Sequence, residues 1–247
     1  IHLLQKIWKA KFSMAKLSDV SVEFSTERTG ATKEKQATTV VKFNLKDIHS
    51  HFEDSFNRIN QMSQINVEDL FLQDQISRSQ IVFIVSAFDF FMHEISKLCL
   101  CQMFEGNIKK TEKYNSLELQ LRDLHSLFKI ENKSEWFLTF INNKFEHITL
   151  VSFDSVKNQC NLIGLDITKI ANDVFYTQGD KTKTIVKLKS FMSELFMKRN
   201  SIAHQFDRSH KNAEVQNISN EYVSTAIEII KKIEASIISQ CASMKDC

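Results

Sequence analysis

A chain of 247 residues with no proline and four glycines contains almost nothing that stops a helix. Proline removes a backbone donor and clashes with the preceding turn, and glycine costs a helix about 1 kcal/mol relative to alanine, so their scarcity favours long uninterrupted helices. The glycines, Gly30, Gly106, Gly164 and Gly179, lie far apart and suit helix ends better than a glycine-rich loop. The expectation is an all-α protein. Apolar residues make up 43% of the chain, and its length is near the upper limit for one hydrophobic core. One helical domain with a short appendage accounts for it.

Residues 1–45 stand apart. Val20-Ser21-Val22-Glu23-Phe24 and Val40-Val41-Lys42-Phe43 are strand-like, with Thr29-Gly30-Ala31-Thr32 between them, which suggests a short N-terminal arm or hairpin. From residue 46 to 247 helical periodicity dominates. Breaks are expected over Gln61 to Asn66, at Gly106-Asn107, over Asn132 to Ser134, near Gly164, at Gly179-Asp180 and over Asp207 to Asn217, giving about five to seven helices. No fixed-period repeat is present, so a solenoid is not expected.

Thirty-two basic residues against thirty acidic ones leave a net charge of +2, too little for a global field that grips a polyanion. Nucleic acid would have to be met locally. Cys99, Cys101, Cys160, Cys241 and Cys247 form no C-x-x-C pair and have no histidine at zinc-finger spacing, so they read as reduced thiols. No cofactor is expected, and no cluster of Asp, Glu or His has the spacing of a two-metal site. The apolar run from Ile81 through Phe91 is interrupted by Ser86 and Asp89 and followed by His93 and Glu94, so it falls short of a membrane span. Ile1-His2-Leu3-Leu4 lacks a secretory pattern, which makes the cytoplasm the expected compartment.

Two helices carry informative polar residues. The segment from about Leu70 to Glu105 is apolar around most of its circumference and belongs in the centre of a bundle. Ser86, Asp89, His93 and Ser96 or Lys97 form one stripe along it, either a solvated edge or the lining of a polar cleft. In the segment from Thr184 to His204, Ile185, Leu188, Met192, Leu195 and Ile202 share a face, and Arg199 falls on the same line. A guanidinium in a core-facing slot needs a partner or an aqueous cleft.

Arg199 opens the run Arg199-Asn200-Ser201-Ile202-Ala203-His204. With six arginines and eight histidines, an Arg followed five residues later by His arises by chance about 0.2 times, and requiring one of the sixteen asparagines directly after the Arg lowers this to about 0.01. None of the other five arginines is followed by a histidine at four, five or six residues. The run, ending a long amphipathic helix ahead of a polar loop and a last helix over about Ser219 to Ser243, resembles the signature of the HEPN superfamily, an arginine and a histidine separated by four to six residues. The core helix around Ile81 to Phe91 resembles the long first helix of that bundle. The likeness covers roughly residues 65 to 245, and the size resembles stand-alone HEPN ribonucleases of prokaryotic toxin and phage-defence systems.

The resemblance implies a HEPN-like helical bundle and metal-independent endonucleolytic cleavage of RNA, leaving a 2′,3′-cyclic phosphate and a 5′-hydroxyl. His204 suits the proton transfers, since an imidazole exchanges protons near neutral pH. Arg199 suits the charge that builds on the non-bridging oxygens, and Asn200 suits orienting the histidine or the phosphate. Asp89, His93, Asp207 and Arg208 are candidate supporting residues. In HEPN toxins silenced by a partner nucleotidyltransferase, a tyrosine follows the histidine by two positions; here that position is Phe206, whose phenyl ring accepts no nucleotide. A cognate inhibitor or antitoxin protein is an expected partner all the same. The alternative is a non-catalytic HEPN-like module that binds RNA, a nucleotide or a protein.

Lys181, Lys183, Lys187, Lys189 and Lys198 form either an RNA-facing stripe or a solvated face. Five helical residues turn a side chain through about 140° net, so Arg199 and His204 do not share a face of one straight helix. A homodimer that brings two motifs into one cleft is the expected active species, with Phe196, Met197 and Ile202 at its contact.

Overall fold

In the computed structural model, which describes residues 40–65, 68–205 and 215–244, local capping chemistry sets where helices begin. Asn44 accepts from the Asp47 backbone while the Asp47 carboxylate accepts from the Asn44 N–H, a reciprocal cap that opens α1 (Leu45–Met62). Asp69 caps α2 (Leu70–Glu105), and Gly106 closes it in the left-handed region at φ 80°. A β-carbon is disfavoured there, so glycine terminates 36 residues of helix, about 54 Å long. Thereafter come α3 (Glu112–Asn115), α4 (Leu121–Lys129), α5 (Lys133–Phe145), α6 (Phe153–Ile163), α7 (Ile167–Phe175), α8 (Thr184–Gln205) and α9 (Asn220–Ser243). The compact unit that holds them begins at Val40.

The all-α expectation holds, and α2 is the axis. Its Ile81, Ile84, Phe88, Phe91, Met92 and Ile95 are almost completely enclosed, because α1, α5, α8 and α9 pack around it. From α1, Ile48, Phe52, Phe56 and Ile59 supply one helical face, and the Phe52 ring stacks on Phe56 at 4.4 Å and meets Phe91 at 5.3 Å. At the far end of α2, Phe104 stacks on Phe137 of α5 at 4.3 Å. From α8 come Leu188, Met192 and Leu195, all buried, with Ile185 and Ile202 packed at the margin of the core.

Two expectations need correction. Val40 to Asn44 form no strand: Val40 and Phe43 pack against the core, Lys42 pairs with Glu105 at 2.6 Å, and Asn44 is committed to capping α1. Packing and a cap hold this segment in place of a β-ladder. The described residues contain nine helices, more than the five to seven expected, because short α3 and α4 form between Gly106 and Asn132 and an unforeseen break separates α5 from α6. The strand-like Val20 to Phe24 and the turn at Gly30 lie outside the described residues.

Candidate active site

The polar stripe on α2 is the wall of a cleft. Ser86, Asp89, His93 and Lys97 face Asn142 of α5 and Arg199 of α8 across a cavity of about 370 Å³. Ser96 points elsewhere, its hydroxyl donating to the Met92 carbonyl inside the core. Of the two readings of the stripe, the cleft is the one found. A guanidinium therefore occupies the core-facing line of α8 because water reaches it there.

Asp89 and His93 have a shared task, one that cannot be read from their spacing. Asp89 Oδ1 accepts from the Leu150 N–H at 2.6 Å, and His93 Nε2 donates to the Ile148 carbonyl at 2.8 Å. A carbonyl oxygen only accepts, so the proton sits on Nε2. Two side chains one turn apart thus grip the two peptide units on either side of Thr149 in the loop joining α5 to α6, and Thr149 and Val151 of that loop form the opposite wall. Lys97 pairs with buried Glu94 at 2.6 Å.

Arg199 is half-buried, and its Nη1 donates to Asn200 Oδ1 at 2.9 Å. Asn200 was expected to orient the histidine or the phosphate; in the structure it holds the arginine. Arg199 Nε is buried without a hydrogen-bond partner among the described residues. A cationic N–H left unmet is costly, and a phosphate oxygen is the kind of acceptor that satisfies it.

His204 is exposed on the last turn of α8 and is not part of the cleft lining. An ideal helix turns it about 140° away from Arg199 and places it one turn beyond Ser201. One chain therefore presents the two motif residues on different sides of α8. Met197 is exposed, whereas Phe196 and Ile202 pack against the chain's own core. Asp207 and Arg208, also candidate supporting residues, lie outside the described residues, as do Phe206 and His210.

The basic run on α8 is largely occupied: Lys187 pairs with Asp180, Lys189 lies 5.8 Å from the Phe153 ring, and Lys198 donates to Gln216 Oε1 at 3.2 Å. Asn142, Glu94 and Thr149 were not singled out from the sequence. In the structure Ser152 caps α6 and so ends the loop, a role that its residue type alone does not single out among the chain's many serines. Among the described residues no three His, Cys, Asp or Glu side chains gather as metal ligands do, and no helix is long and apolar enough to cross a membrane.

The family model described as RiboL-PSP-HEPN matches residues 32–242, most of the chain. The chain belongs to the RiboL-PSP-HEPN family. Its helical bundle is thus a HEPN domain, and membership points to RNase-type or RNA-related function. Comparison with curated proteins and with solved structures gives no match. In this HEPN domain the Arg199–His204 run closes α8 and the match extends into α9, so the motif and the whole of α8 fall within the matched region.

Proposed function

We propose that this HEPN domain is a metal-independent RNA endonuclease that acts through Arg199 and His204. The observation that carries the reading is the setting of Arg199: a guanidinium turned into a polar cleft with one buried N–H unmet, five residues ahead of an exposed imidazole. In the reaction the 2′-oxygen attacks the adjacent phosphorus, its proton passes to a base, and the bond from phosphorus to the 5′-oxygen breaks as that oxygen takes a proton. Imidazole serves both transfers, and guanidinium holds the non-bridging oxygens as they gain charge. Asn200 positions Arg199, and Asp89 and His93 position the cleft wall.

The separation of Arg199 and His204 around α8 supports a two-chain site. A homodimer with two-fold symmetry sets the Arg199 of one copy beside the His204 of the other. In each such pair the imidazole removes the 2′-proton and, as imidazolium, returns a proton to the leaving oxygen. The biological role we assign is that of a toxin or anti-phage defence effector working in the cytoplasm under a cognate inhibitor protein.

The test is RNA cleavage by Arg199→Ala and His204→Ala proteins that keep the wild-type thermal midpoint. Each is expected to lose at least about a hundredfold in rate, the scale of one acid–base or charge-stabilising group. Products should carry cyclic phosphate ends, and EDTA should leave the rate unchanged. Cleavage that stops with EDTA and returns with magnesium contradicts the mechanism. Expression of the wild-type chain, but not of His204→Ala, should arrest bacterial growth.

A further inference from the structure

The second face of α8 carries chemistry that the Arg199 cleft does not use. Glu194, Met197 and Ser201 recur at three- and four-residue intervals, so they lie along one side of the helix, and three more residues on the same side lead to His204. Opposite them stand Gln216 and Asn217, ahead of α9, and Tyr222 in its first turn. Between the two walls lies a cavity of about 520 Å³, within the range of small-ligand sites.

The far wall is held in place from inside the protein. Arg78, buried on α2 at 3% exposure, donates both to the Gln216 carbonyl and to the Asp74 carboxylate. Ser77 donates to Asn220 Oδ1 at 3.2 Å, and Ile218 is buried. Lys198 donates to Gln216 Oε1, which orients that amide. A buried guanidinium is a costly way to fix a surface segment, so the segment's geometry matters.

The polar groups suit a base better than a phosphate. Burial and the neighbouring Glu194 carboxylate push the Tyr222 phenol up to about 12. The phenol therefore keeps its proton, and Glu194 presents its exposed carboxylate to the cavity. A carboxylate repels phosphate oxygens but takes two neighbouring N–H donors side by side. Among the RNA bases guanine alone offers two such donors on its Watson–Crick edge, N1–H and the 2-amino group; adenine, cytosine and uracil each set a donor beside an acceptor. Met197, 63% exposed, adds a polarisable thioether against which a flat ring packs.

We infer that this cavity is a guanine subsite for the RNA substrate, in which Glu194 accepts from N1–H and the 2-amino group and Met197 lies against the ring. It rests on the RNA-cleaving function proposed above, and it places a guanosine at a fixed position beside the bond that His204 serves.

Two measurements test it, one independent of cleavage. Binding of the four nucleoside monophosphates to the wild-type protein, followed by NMR, should favour guanosine monophosphate by about tenfold, and Glu194→Gln should remove that preference while Glu194→Asp restores part of it. Sequencing the ends cut from a randomised RNA pool should show guanine enriched at one position in the wild type and not in Glu194→Gln. Equal binding of all four nucleotides, or guanine enrichment that survives in Glu194→Gln, overturns the subsite. Selective guanine binding by a protein that cuts no RNA leaves the subsite standing and removes the proposed activity instead.

Discussion

Asp89 shows how a single acceptor supports a cleft. Leu150 is buried, and its N–H depends on Asp89 Oδ1 at 2.6 Å. Removing the acceptor leaves a buried donor unmet, which costs about 1–3 kcal/mol. Asp89→Ala should therefore lower the unfolding free energy by about that amount, and Asp89→Asn by less, because an amide oxygen still accepts. Equal losses in the two variants, read by chemical denaturation, would show that the hydrogen bond is not what holds the loop. A buried acid joins α1 to α9: Glu234, 2% exposed, accepts from His49 Nδ1 at 2.8 Å. Burial holds the Glu234 carboxyl above its usual range, while His49 pulls the other way. A raised folded-state value means that the acid's contribution to stability is complete below the ordinary carboxyl range and is lost as the pH rises through the raised value. Glu234→Gln should accordingly gain stability relative to the wild type as the pH rises from the ordinary carboxyl range, about pH 4, towards neutrality. Thermal midpoints that track each other across that interval would contradict the burial argument.

At the scale of the element, α2 determines whether the bundle forms, since helices on several sides close on its apolar surface. Ile84 is fully enclosed, and Ile84→Ala should cost about 2–5 kcal/mol, with a matching fall in the denaturation midpoint. A loss under 1 kcal/mol would mean that α2 is not the packing axis. The bounds of α2 are legible in the sequence because Asp69 and Gly106 act locally, through a side-chain acceptor and a left-handed backbone. Ser219 likewise announces α9. The break between α5 and α6 was not legible: Glu146 to Val151 contain neither glycine nor proline, and the loop is held by α2 residues about sixty positions away. The same limit applies to the site. Arg199 and the α2 stripe could be read from helical spacing, whereas the grip of Arg78 on Gln216 spans 138 residues and leaves no local pattern. Val40 to Phe43 misled because β-branched and aromatic residues also suit an irregular segment packed on a core.

For the whole molecule, the position of the motif matters more than the modest net charge. A chain at +2 has no strong field for RNA, and the lysines of α8 are largely engaged, so in the proposed dimer charge at the site comes from assembly. Joining two copies at the ends of their α8 helices doubles the local cation count and brings together groups that one helix holds about 140° apart. The proposed dimer places the Arg199 that stabilises the phosphate on one chain and the His204 that moves the proton on the other. An equimolar mixture of Arg199→Ala and His204→Ala proteins, unfolded and refolded together, tests that arrangement directly. Each protein alone should be inactive, and the mixture should regain about a quarter of wild-type RNA cleavage, because half the dimers are mixed and each of these restores one of two sites. A mixture as inactive as its components would contradict a site built from two chains.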